Sequence, residues 1–148
     1  MQSLVRTGSW VMLAAGIYTL VMSIFWIFLT EVVFVSDFLS VTGQSYSDYL
    51  VQAPDYAELY VLTKKLWGFA MFIVSILIIF ITKKSYSKGE KWSWYALLIA
   101  GVMLWGSLIS YRVLIGYVAP SIITFIIGTI LFVIGIALPA KEILANKS

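Results

Sequence analysis

Four long apolar stretches, separated by short polar ones, run through the 148 residues of the chain. The first, over 10–30, holds no Asp, Glu, Lys or Arg between Trp10 and Thr30. About twenty apolar residues at helical rise cover a hydrocarbon core of roughly 30 Å. Similar stretches follow over 63–82, 92–111 and 121–138. In lipid every backbone polar group must be satisfied within its own segment or a closed barrel, so runs of this length predict helices. The expectation is an all-α membrane protein, a four-transmembrane-helix bundle forming a single domain over 1–148. Arg6 precedes the first stretch as it would a signal core, but the stretch is too long and ends in no small-x-small site, so it reads as a retained span.

The segment over 31–62 breaks the alternation. It carries Glu31, Asp37, Asp48, Asp55 and Glu58 without a single base, yet keeps Val32, Val33, Phe34, Val35, Phe38, Leu39 and Val41. A solvated loop has no need of that apolar run, so the segment is expected to extend the first helix or to lie against the bundle. Thr42-Gly43 marks a break, 45–52 a short serine-capped helix, and Ala53-Pro54 its stop. Asp55 and Glu58 match a capping box, which predicts a second helix over 55–82, about 42 Å long. Its first turns would stand outside the lipid, with Lys64, Lys65 and Trp67 at the interface.

Composition and charge sharpen this picture. Hydrophobic residues make up 61% and charged residues 11%, far fewer charges than the quarter or so that cover a soluble domain. Arg6, Lys83, Lys84, Lys88, Lys91, Lys141 and Lys147 fall on one side of the four spans, against Lys64, Lys65 and Arg112 on the other. By the positive-inside rule the protein belongs in the cell membrane with both termini cytoplasmic, the loop 83–91 cytoplasmic and an external segment of about 30 residues at 31–62.

The chain has no cysteine and no histidine. Disulfides, thiol redox cycles, histidine-ligated haem or zinc, and Ser/His or Cys/His nucleophile pairs are thereby excluded. No acid or base occupies the central part of any span, which argues against a proton-coupled pump or a voltage sensor. The expectation is a protein that is not an enzyme and needs no cofactor or metal. The bases do not form a phosphate-binding stripe, so nucleic acid is not an expected partner.

Two sets of residues remain as candidates. Ser121, Gly128 and Gly135 repeat at heptad spacing with Thr124 on the same side, a stripe suited to close helix packing. Ala15, Thr19 and Ser23 form a second such stripe. At the outer boundary, Glu31, Lys64, Lys65 and Arg112 gather from three span ends into a rim that suits a lipid phosphate or an acidic ligand. The structural alternative is that Glu31 pairs with one base while the others snorkel to headgroups.

The run Thr42-Gly43-Gln44-Ser45-Tyr46-Ser47-Asp48, the Pro54 before a long second helix, and the junction Lys88-Gly89-Glu90-Lys91-Trp92-Ser93-Trp94 resemble small uncharacterised four-span integral membrane proteins of prokaryotes. The resemblance implies a topology and no activity. The leading functional expectation is a non-catalytic accessory subunit or interaction scaffold. Its partners would be membrane lipids and another membrane protein or a second copy of itself, as a homo-oligomer. The alternative is a transporter, channel or lipid-binding protein with its ligand at the outer rim.

Overall fold

The computed structural model describes residues 2–115 and 122–145. Its helices are α1 (Gln2–Phe28), α2 (Thr30–Thr42), α3 (Tyr46–Gln52), α4 (Pro54–Lys84), α5 (Lys91–Ile115), α6 (Ile122–Ala137) and α7 (Ala140–Ala145), with a 3₁₀ turn at Tyr86–Lys88. No strand occurs among the described residues. Four stretches, Ser3–Phe28, Pro54–Lys88, Lys91–Tyr111 and Ile123–Ala145, are long and apolar enough to cross a membrane. The stripe residue Ser121, like residues 116–120, lies outside the described residues.

α1 begins well before residue 10 because its early polar side chains are satisfied within the helix. Thr7 donates to the Ser3 carbonyl at 2.9 Å and Ser9 to that of Val5 at 2.7 Å. At Leu29 the helix bends and continues as α2. Thr30 Oγ1 donates to the Trp26 carbonyl at 2.5 Å. A hydroxyl competing for a helix carbonyl bends a helix in this way. The apolar run after Glu31 is therefore a bent extension of the first helix. It ends at Gly43, whose φ of 71° is a left-handed cap that most side chains would strain.

Ser45 caps α3 by accepting from the Asp48 amide at 3.1 Å. The expected capping box on α4 is replaced by another device. Ala53 is the cap residue, it makes no side-chain cap bond, and Pro54 opens the helix. Proline has its φ preset and lacks the amide that would go unsatisfied there, so Asp55 falls inside the first turn rather than before it. The acid still faces the positive end of the helix dipole.

α4 has 31 residues, about 46 Å at helical rise, and overshoots the lipid core. Its buried residues are Ala57, Val61, Lys64, Gly68, Met71, Ser75, Ile78 and Thr82. They alternate four and three apart, the spacing of knobs-into-holes packing. α1 meets this seam antiparallel: Gly16 lies against Ile78 and Ile79, and Gly68 against Trp26 and Ile27.

α6 runs antiparallel to α1 and α5. Gly135 sits against the backbone of Met12, with 3.1 Å between its would-be Cβ and the Met12 nitrogen. Gly128 faces the Trp105 ring and Gly101 of α5 faces the Phe132 ring. Aromatic donors hold the α6 backbone as well. Tyr18 donates to the Thr124 carbonyl at 2.8 Å, Tyr86 to that of Gly135 at 2.6 Å and Trp94 to that of Ile136 at 3.0 Å. Small residues admit close approach, and these bonds add the polar cohesion that lipid cannot supply.

α7 was not foreseen. Beyond the turn at Pro139 the chain resumes as a short helix with Ile143 fully buried. Pro139 packs against Gly8, where an added Cβ would come within 2.6 Å of the ring.

Candidate functional site: a lysine among aromatic rings

At the end of the molecule where α2 and α3 lie, Lys64 is one of the core positions of the α4 seam and is only 8% exposed. Its ammonium lies 3.9 Å from the centroid of the Tyr111 ring, 4.9 Å from Phe34 and 5.2 Å from Tyr60. It also donates a hydrogen bond to the Tyr111 hydroxyl. Three helices contribute: α2 gives Phe34, α4 gives Tyr60 and Lys64, and α5 gives Tyr111. Stripping water from an ammonium costs several kcal/mol, which the ring faces and the hydroxyl acceptor offset.

The rings form part of a longer column. Tyr46 and Tyr49 of α3 pack on Phe38 at 5.5 and 5.0 Å, and Phe38 packs on Tyr60 at 5.0 Å. Phe34 meets Trp26 edge-on at 4.6 Å, and Trp26 meets Phe125 at 6.0 Å. Tyr60 donates to the Phe34 carbonyl at 3.4 Å. The column joins α3 to α6, with the Lys64 ammonium beside its middle.

Asp37 belongs to the same face of α2 as Phe34 and Phe38 and is fully buried. Lys64, expected at the outer interface, and Asp37, in the segment expected to extend the first helix or to lie against the bundle, are thus both inside the protein. The signal that places them inward is register: 57, 61, 64, 68 and onward for Lys64, and the spacing of Thr30, Phe34 and Asp37 for the acid.

The other rim residues part company. Glu31 is exposed in the first turn of α2 and Lys65 is half-buried, a hundred degrees around α4 from Lys64. The Arg112 side chain lies outside the described residues. Of the packing stripe, Gly135 turns to α1 and Gly128 to α5, while Thr124 supplies the carbonyl that Tyr18 reaches. Trp105 is packed, 3% exposed, with its indole N–H buried and without an acceptor among the described residues.

Chemically the nest holds one cation and several π faces. Among the described residues no three acids gather in a way that could hold a metal ion. Four apolar helices that pack through glycines and aromatic rings define the class: a multi-pass helical membrane protein. No protein-family model, curated protein or solved structure matches the chain.

Proposed function

We propose that this is a non-catalytic accessory subunit or interaction scaffold of the cell membrane. It is a four-span bundle with both termini cytoplasmic, and it engages a partner through α2, α3 and the start of α4. The observation that carries this reading is the outward face of the α3 region. Tyr46 and Tyr49 turn inward onto Phe38, and no residue of α3 is buried.

What remains on the outside is apolar and acidic. Val51 is 84% exposed, Val32 78% and Tyr56 68%, beside exposed Leu39, Leu50 and Leu59. Glu31, Asp48, Asp55 and Glu58 are exposed around them, and no base lies between 31 and 62. Apolar area flanked by one sign of charge suits a partner with a matching basic and apolar surface. The Lys64 nest ties α2 to α4 and α5 through Phe34, Tyr60 and Tyr111, and such pre-formed contacts limit the ordering cost of association.

A photo-crosslinking amino acid at Val51 or Leu39, activated in native membranes, tests the proposal. A discrete protein adduct, to a second species or to a second copy, is the expected result. Adducts to lipid alone at both positions overturn it, since the face would then be an interfacial membrane anchor.

A further inference from the structure

At the opposite end of the molecule, where α1 starts and α7 lies, a cavity of about 790 Å³ opens between α1, the end of α4, the 3₁₀ turn and α7. Its lining includes Arg6, Lys83 and Lys88, with Glu142 as the acid, and Trp10 and Leu13 as apolar wall. The charge on the lining is three positive against one negative, so an anion is favoured there.

Two further observations narrow the anion. Arg6, Trp10 and Leu13 stand at i, i+4 and i+7 on α1, so the wall passes from charge to apolar surface over about 10 Å along the helix. Exposed Ile17, Val21 and Ile24 carry that apolar surface onward along the span. A ligand that fills the cavity would therefore be an amphiphile, with its polar end at the basic mouth and its apolar part along α1. In addition, Glu142 is the acid of this lining, so a ligand that carries a hydrogen-bond donor beyond its anionic group meets a carboxylate there.

We propose that this cavity binds the headgroup of a membrane phospholipid whose phosphodiester is followed by a hydrogen-bond donor. The phosphate sits among Arg6, Lys83 and Lys88, and the terminal donor reaches Glu142. Phosphatidylethanolamine offers an ammonium for that role and phosphatidylglycerol a hydroxyl. Phosphatidylcholine offers neither, because its quaternary nitrogen carries no hydrogen. Arg6 and the two lysines act on the phosphate alone, so they set affinity for any phospholipid. Glu142 sets the discrimination between headgroups.

The test is native mass spectrometry of the delipidated full chain after exchange into equal mixtures of the three lipids with identical acyl chains. Retention of phosphatidylethanolamine over phosphatidylcholine by about tenfold is expected, the worth of one hydrogen bond to a charged group. Both are zwitterionic, so that preference reports the donor, whereas phosphatidylglycerol carries a net negative charge, and its retention over the other two with those two equal would report the basic lining alone and overturn the proposal. Glu142→Ala should bring phosphatidylcholine level with phosphatidylethanolamine while total lipid retention persists. The double substitution Arg6→Gln with Lys83→Gln should lower retention of all three. Equal retention of the three lipids by the native protein overturns the proposal without reference to any variant. So does equally strong binding of water-soluble glycerophosphoethanolamine, which would show that the apolar wall takes no part.

Discussion

Lys64 is the residue on which the α2–α3 end depends most, because its charge is buried and its neighbours come from three helices. Tyr111→Phe removes the hydroxyl acceptor and keeps the ring, and should cost about 1–2 kcal/mol. Lys64→Ala removes the cation from the ring faces and leaves a hole, and should cost about 2–4 kcal/mol. Reversible unfolding in mixed micelles measures both. A loss below about 0.5 kcal/mol for Lys64→Ala would mean that the ammonium behaves as an exposed surface lysine. A second residue-scale test concerns Glu90, in the loop before α5. Its carboxylate accepts from the Trp92 indole at 2.6 Å, and this bond, with one from Ser85 and the nearby Lys88 charge, holds its pKa below the ordinary glutamate value of 4.5. A depressed carboxylate stabilises the fold above its unfolded pKa and loses that contribution as pH falls through the folded value. The Trp92 indole N–H resonance should therefore shift with a titration midpoint below 4.5. In Glu90→Gln it should not titrate there at all.

Between elements, the contacts that position the spans are glycine against aromatic ring and aromatic donor against α6 carbonyl. Gly128→Ala places a methyl inside the Trp105 ring and should cost about 1–3 kcal/mol, the range for overpacking a filled core. Trp105→Leu on the same chain should recover part of that loss. Gly106, on the same helix as Trp105, meets nothing within 4 Å where a Cβ would stand. Gly106→Ala should be neutral or stabilising by up to about 1 kcal/mol on helix propensity. Unfolding midpoints of the three variants check the set. If both alanines cost the same, ring packing does not hold α5 to α6.

Much at this scale was readable beforehand, and the failures share a cause. The Thr42-Gly43 break, the Ser45 cap and the positions of the four long apolar helices are local signals, and each has its counterpart in the structure. The capping box at Asp55 failed because Pro54 can open a helix as well as end the one before it. α7 was missed because six residues carry too little periodicity to announce a helix, and only the burial of Ile143 holds it in place. Inward burial of Asp37 and Lys64 is a property of register against neighbouring helices. A charged side chain read alone is assigned to the surface, and only the four-and-three spacing of Ala57, Val61, Lys64 and Gly68 shows otherwise.

Taken whole, the molecule has two unlike ends. One carries an acidic and apolar head around the Lys64 nest, and the other a basic cavity with Glu142 in its lining. Both proposals depend on these ends facing opposite sides of a membrane, with the head outside and the basic end in the cytoplasm. The chain's lack of cysteine makes that directly testable. Val51→Cys in the head and Ser87→Cys in the loop after α4 each introduce one exposed thiol. Intact cells are treated with a membrane-impermeant maleimide, before and after permeabilisation. The account predicts labelling of the Val51→Cys protein in intact cells and of the Ser87→Cys protein only after permeabilisation. Labelling of both in intact cells, or of Ser87→Cys alone, would contradict it.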